Sequence, residues 1–253
     1  MRLGKRQWND LRWVLTHRET YVALLRTWWI VKRPLRTLLC EIFATSLDLP
    51  DLSVRTPLGL LKIHLRSAVD LSTVFGVFCR EDYELPEGAR VVIDVGANIG
   101  IATLFFLSRN REAFVYAYEP VQENIEAFRR NVEPFRERCE LEELAVAPQT
   151  GIVDFDVEPT GKFGGMCLRS GRRIRVRCRA INEVLERVVS KHGKVDCLKL
   201  DVEGSEREIL QSLDRSLWKR IRCIYAESSD SRAFMPSDFV RTLRYNVERL
   251  APG

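Results

Sequence analysis

From residue 89 onward, short apolar runs that suit buried strands alternate with segments whose apolar residues recur every third or fourth position. The runs at 89–94, 113–118, 139–146, 195–200 and 221–226 predict strands. Helices are predicted over 101–108, 121–132, 180–190, 204–213 and 237–244, with a final short strand over Tyr245 to Leu250. In the second of these helices Val121, Ile125, Phe128 and Val132 share one face. Repeated strand and helix alternation implies an α/β fold: a mostly parallel central sheet with helices on both faces, and ligands beyond the carboxyl ends of its strands.

The chain before residue 89 reads differently. Leu52 to Val54 and Leu60 to Leu65 flank Thr56-Pro57-Leu58-Gly59, a turn with Pro second and Gly fourth, which predicts a hairpin. Ser67 to Arg80 reads as a short helix and Glu81 to Arg90 as a polar loop. Further upstream Trp8, Leu11, Leu15, Val22, Leu25 and Trp29 recur at helical spacing and predict an amphipathic element before Pro34. Three segments follow: a basic helical appendage over 1–50, a hairpin and helix over 51–87, and the main domain over 88–253.

Charge sharpens this division. Residues 1–40 carry nine basic residues against Asp10 and Glu19, whereas the rest of the chain has 31 basic and 33 acidic residues, a balance of −2 within the total of +5. The basic, tryptophan-bearing stripe suits peripheral contact with an anionic membrane, but such stripes more often pack on their own core, and that is the expectation here. Seven scattered cysteines with no C-x-x-C pair fit reduced thiols rather than a disulfide framework or a zinc site. The three histidines lie far apart, so no metal centre is expected. With no long apolar run and no leader-type N-terminus, the chain reads as cytoplasmic.

The densest chemical signal is Val91-Val92-Ile93-Asp94-Val95-Gly96-Ala97-Asn98-Ile99-Gly100, a buried strand that breaks into a glycine turn opening a helix. A dinucleotide fingerprint requires glycines where Asn98 and Ile101 stand, and no P-loop occurs anywhere. A carboxylate just before the turn would repel a pyrophosphate, but it suits a ligand carrying an ammonium and a sulfonium. S-adenosylmethionine (SAM) is such a ligand. The next strand ends in Tyr118-Glu119-Pro120, placing an acid where it can accept hydrogen bonds from the ribose hydroxyls, although an acid before Pro also suits a helix start. Glu143 and Ala145, at the end of the third strand, fall where the adenine edge is expected.

The fourth strand leads into Lys199-Leu200-Asp201-Val202-Glu203-Gly204-Ser205-Glu206, with two carboxylates at the edge where the transferred group should sit. One such acid can serve as a general base, and one can cap the following helix. Glu227, ending the fifth strand, is the reserve acid. Taken together with the Ala145 segment leading to Gly151, these motifs resemble the FkbM family of SAM-dependent methyltransferases over roughly residues 54 to 250. The resemblance implies a class I, Rossmann-like methyltransferase fold and O-methylation of a hydroxyl on a sugar, glycan or secondary metabolite. Asp94, Gly96, Asn98, Gly100 and Glu119 match the family's cofactor positions, and Asp201 and Glu203 its Asp-x-Glu-Gly segment. A class I sheet closes with a hairpin of a sixth and a seventh strand, whereas only one short strand is read near Leu250, so either the last strand is absent or the sequence is cut short.

Two features remain. Arg173, Arg175, Arg177 and Arg179 would share one face of a strand, as would Asp154, Asp156 and Glu158 of another. Pairing of the two is expected, with one arginine left to solvent, rather than a nucleic-acid surface. The glycine-rich loop Pro159 to Gly171 between them suits a substrate lid or plain flexibility. A nucleic-acid methyltransferase, a SAM-binding module without turnover and a membrane-associated enzyme acting on lipid-linked glycans are the alternatives.

Overall fold

The computed structural model describes residues 2–3, 6–7, 18–43, 51–157, 164–165, 172–202, 204–227, 231, 234–244 and 247–253. The chain forms two compact units, Met1–Glu84 and Leu85–Gly253.

In the first unit, helix α1 (Arg18–Ile30) and helix α2 (Pro34–Phe43) precede the expected hairpin of β1 (Asp51–Thr56) and β2 (Gly59–His64), which pairs Thr56 with Gly59 across the turn. Helix α3 (Ala68–Val74) starts on a capping box: the Ser67 hydroxyl accepts the Val69 and Asp70 N–H groups while Asp70 accepts the Ser67 N–H. It continues as a π-helical stretch, Phe75–Arg80, whose Phe75 to Cys79 are buried. Helix α1 buries Ala23 and Thr27, its small-residue side, and leaves Val22, Leu25 and Trp29 exposed. The expectation that this stripe packs on the protein's own core is therefore corrected. The small side chains let α1 approach its neighbours closely, so the bulky face is turned outward. Trp8, Leu11 and Leu15 lie outside the described residues.

In the second unit, seven strands form one sheet. In chain order the first strands are β3 (Val91–Val95), β4 (Phe114–Tyr118) and β5 (Cys139–Glu142), and the later ones β9 (Cys197–Leu200), β10 (Ile224–Glu227), β11 (Phe239–Arg244) and β12 (Val247–Pro252). The spatial order is β11-β12-β10-β9-β3-β4-β5, parallel from β10 to β5, with β12 alone reversed between β10 and β11. This strand order, with its closing hairpin, is the one that the resemblance to a class I fold implies.

Helix α4 (Ile101–Arg109) and helix α5 (Gln122–Val132) follow β3 and β4. Helix α6 (Ile181–His192), α7 (Glu206–Gln211) and α8 (Arg215–Trp218) contribute Val184, Leu185, Ile209 and Trp218 to a core that also holds Ile93, Tyr116, Leu198 and Ile224. Burial of such side chains is worth roughly 1.5–3 kcal/mol each, which is why the apolar strand runs were legible.

Two element predictions are corrected. Residues 239–244 form a strand rather than a helix, because Phe239 to Arg244 gain a full ladder with Val247 to Pro252 and Phe239 packs edge-on against Trp218 at 5.1 Å. That strand supplies the missing member of the closing hairpin, so the last strand is present. The run 139–146 splits at a bend, where the Leu144 N–H donates to the Glu142 carbonyl. Its second part, β6 (Ala145–Ala147), joins another sheet with β7 (Gly151–Val157), β8 (Arg172–Ala180) and the two-residue strand Gly164–Gly165.

There β7 and β8 pair antiparallel, with Arg173 opposite Asp156 and Arg175 opposite Asp154. Arg173 reaches Asp156 at 3.0 Å, while Arg177, opposite Ile152, is exposed. Arg179 and Arg187 converge on Glu142 of β5, fastening this sheet and α6 to the main one. Glu158 and, apart from Gly164 and Gly165, the proposed lid lie outside the described residues.

Candidate active site

Parallel pairing brings four strand ends to one edge. Lys199 lies level with Asp94, Leu200 with both Val95 and Ala226, and Val95 with Tyr118. The residues that follow, Gly96, Glu119, Asp201 and Glu227, therefore stand side by side.

The turn after β3 is fixed by backbone conformation. Gly96, Asn98 and Gly100 all have positive φ, at 73°, 50° and 87°. Asparagine tolerates this region better than most side chains, which is why it can stand where a glycine fingerprint would fail. The Gly96 and Ala97 N–H groups both donate to the Tyr118 carbonyl at 3.0 Å, and the Leu104 N–H to Gly100 at 2.8 Å starts α4. A Cβ on Gly96 would lie 1.9 Å from the Asp201 carbonyl oxygen. Gly96→Ala is therefore expected to destabilise the protein by roughly 2–4 kcal/mol, combining backbone strain with overpacking. A urea unfolding midpoint equal to that of the wild type would refute this close approach.

Glu119 is 4% exposed and holds the turn from the neighbouring strand. Its carboxylate accepts the Asn98 N–H at 2.8 Å, the Val121 N–H at 3.0 Å and the Asn124 side-chain amide at 3.1 Å. A carboxylate offers about four acceptor positions, so roughly one is left for a ligand hydroxyl. Glu119 also ties down the start of α5, the role expected of an acid placed before that helix. Burial raises its pKa, against the opposing pull of those hydrogen bonds and of Lys199.

Asp94 is fully buried. The Thr103 hydroxyl donates to it at 2.6 Å, and the Lys199 ammonium pairs with it at 2.9 Å. The ammonium beside Asp94 is thus the protein's own. Lys199, only 2% exposed, also lies 3.4 Å from Asp201 and donates to the carbonyls of Val95 and Gly96 at 3.3 and 3.0 Å. Burial alone would pull its pKa down, but the Asp94 and Asp201 carboxylates reverse this and hold it above the ordinary lysine value. Lys199 is the central residue that the sequence reading passed over. Its signal was a lone charge inside the apolar run Cys197 to Leu200.

Asp201 keeps 30% side-chain exposure beside this buried lysine. The loop after it is pinned by Glu206, which accepts the Val202 and Gly204 N–H groups at 2.9 and 2.8 Å. Desolvation raises the Glu206 pKa, with the backbone N–H groups opposing. Glu206 therefore takes the structural part expected of one acid in this segment. Glu203 lies outside the described residues. Glu227 is half-buried at the end of β10, opposite Val247.

Two residues assigned to the adenine edge are placed apart from one another. Glu143 is exposed and ion-paired with Arg129 of α5, whereas Ala145 is buried opposite Cys178 in the second sheet. Among the described residues no group of acids, histidines and cysteines is arranged to hold a metal ion. Six described cysteines are free thiols, and burial pushes Cys139 up to about 12 and Cys197 well above the ordinary value, which does not favour thiolate chemistry.

Comparison with known proteins adds three findings. The family described as "Methyltransferase FkbM domain" matches residues 94–249. The 31-O-demethyl-FK506 methyltransferase FkbM of Streptomyces tacrolimicus is 28% identical over 183 residues, covering 60% of this chain and 70% of that protein. The AMB antimetabolite synthetase AmbE of Pseudomonas aeruginosa is 30% identical over 206 residues, covering 62% of this chain but only 9% of the synthetase. Among solved structures, a methyltransferase FkbM from Methylobacillus flagellatus aligns with a TM-score of 0.48 at 13% identity, over 73% of this chain and 54% of its own.

Proposed function

Since the chain belongs to the FkbM family of methyltransferases, we propose that it transfers the methyl group of SAM to a hydroxyl oxygen of a small molecule, a polyketide-like secondary metabolite or a glycoside. The observation that carries this reading is the convergence of the Gly96–Gly100 turn, the buried Glu119 and the accessible Asp201 on one sheet edge. The FkbM relative, named for 31-O-methylation of FK506, supports oxygen as the acceptor.

The residues fit the cofactor. Positive φ at Gly96, Asn98 and Gly100 bends the turn tightly, two of these three positions carry no side chain, and Glu119 retains acceptor capacity for a ribose hydroxyl. Bound SAM supplies an electrophilic methyl on a sulfonium. Asp201, open to solvent on one side and ion-paired with Lys199 on the other, orients the acceptor hydroxyl and takes its proton as the carbon–oxygen bond forms and the carbon–sulfur bond breaks. Glu203 and Glu227 are the other acids placed by sequence to share this role. Asp94 acts at one remove, holding Lys199 against the carbonyls of the turn. Since little charge must be created, positioning of the hydroxyl supplies most of the acceleration.

A pH dependence follows from Glu119. Its raised pKa means that it protonates at a higher pH than an ordinary glutamate. SAM affinity is therefore expected to fall as the pH drops through that raised value. Folding stability has the opposite sign: the contribution is fully present below the ordinary glutamate pKa and lost as pH rises through the raised one. Calorimetric titration of SAM across acidic to neutral pH checks the binding arm, and a flat profile would contradict it.

The reading as a whole is tested by incubating the protein with tritiated-methyl SAM and a metabolite extract, then locating the label by NMR. Label on an ether oxygen is expected. Label confined to nitrogen, carbon or RNA would overturn the hydroxyl assignment.

A further inference from the structure

On α1, Tyr21, Leu25 and Trp28 stand one turn apart with Val22 and Trp29 beside them, and their exposure runs from 41% at Val22 to 79% at Trp29. Leu35 and Leu39 continue the apolar surface on α2, at 60% and 41%. Seven of the eleven large apolar side chains exposed among the described residues thus fall between Tyr21 and Leu39. Concentrated apolar surface of this kind marks an interaction site, whereas single exposed residues do not.

Charge selects the partner. From Thr20 to Cys40 the sequence contains no Asp or Glu but has Arg26, Lys32, Arg33 and Arg36. Arg26 is answered by Glu81, while Lys32 and Arg33 are exposed in the link between the two helices. A second copy of the same face would bring Lys32 and Arg33 against like charges, the nearest acids of the two helices being Glu19 and Glu41 at their far ends. Paired tryptophans beside exposed cations match the headgroup layer of a bilayer, where aromatic rings and basic side chains are both favoured.

We propose that the α1–α2 face docks on an anionic membrane surface, with Trp28 and Trp29 in the headgroup layer and Lys32 and Arg33 on lipid phosphates. The contact is peripheral: α1 has 13 residues, and no described helix is long and apolar enough to cross a membrane. The inference is independent of the methyl acceptor. It would place the enzyme beside substrates that partition into lipid.

Co-sedimentation of the full chain with phosphatidylglycerol-containing vesicles is expected to exceed that with pure phosphatidylcholine by at least about tenfold. Trp28→Ser with Trp29→Ser should abolish binding. Lys32→Glu with Arg33→Glu should erase the preference for the anionic lipid, and circular dichroism melts of both variants would confirm that they fold. Quenching of wild-type tryptophan fluorescence by brominated lipids reads the same contact without any substitution. Binding that ignores lipid charge, binding that survives loss of both tryptophans, or no binding would each overturn the proposal. So would a lipid-free dimer, seen by sedimentation equilibrium, that Trp28→Ser with Trp29→Ser dissolves; that result would assign the face to a second copy.

Discussion

Lys199→Met is expected to destabilise the protein by about 3–5 kcal/mol, because it leaves the wholly buried Asp94 carboxylate without its counter-ion. The substitution also removes the ammonium's hydrogen bonds to the Gly96 carbonyl and to the Val95 carbonyl, which keeps the Asp201 N–H, so the turn loosens with the core. Burying the ion pair was itself costly, and replacing both partners by neutral groups removes that cost. Asp94→Asn combined with Lys199→Met should therefore recover most of the loss, a coupling that urea unfolding of the two single variants and the double variant measures directly. The pH sign is also fixed. The raised Lys199 pKa keeps its stabilisation fully present below the ordinary lysine pKa and loses it only as pH rises through the raised value, so the wild-type pair is constant across neutral pH. A Lys199→Met protein as stable as the wild type would show that Asp94 does not depend on Lys199 as its counter-ion.

The second large effect belongs to Asp201→Asn. Once an acceptor is in hand, kcat is expected to fall about 10²- to 10⁴-fold, the usual contribution of a positioned general base. SAM affinity should change little, because Asp201 lies on the acceptor side of the Gly96 turn in this reading. Glu203→Gln and Glu227→Gln are the comparators. If either of them, and not Asp201→Asn, lowered kcat, the base would be reassigned to that carboxylate. If none did, proton transfer would not limit the reaction.

Most of the sheet was legible because its strands are buried on both faces and therefore read as nearly unbroken apolar runs. The closing hairpin was not, since Phe239 to Arg244 is an edge strand with Val240 and Leu243 exposed, and its pattern does not declare which face is inside. The split after Glu142 was hidden for a related reason: both halves are strands, and only tertiary pairing shows that they belong to different sheets. The acid and arginine strands were read correctly, register aside, because alternating charge has one economical partner, alternating opposite charge.

At the site, position along the chain located the glycine turn but not the direction in which each side chain points. Asp94 was read as a cofactor residue from its place in the motif, and the structure shows its side chain on the sheet face under α4, against Thr103 and Lys199. Lys199 escaped notice because a lysine in a strand is usually taken as an exposed position. Its burial becomes intelligible only when two acids are brought beside it. The α1 stripe was misjudged in the same way: periodicity shows that a helix has two faces, but not which one the rest of the chain covers.

The central claim is that the Gly96–Gly100 turn and Glu119 hold SAM, and calorimetric titration of SAM into the wild-type protein and Glu119→Gln tests it most directly. Saturable binding with one SAM per chain is predicted, weakened roughly 10- to 100-fold by the substitution, as expected for loss of a hydrogen bond to a charged acceptor. Absence of SAM binding to the folded wild-type protein, or equal affinity in the two, would contradict it.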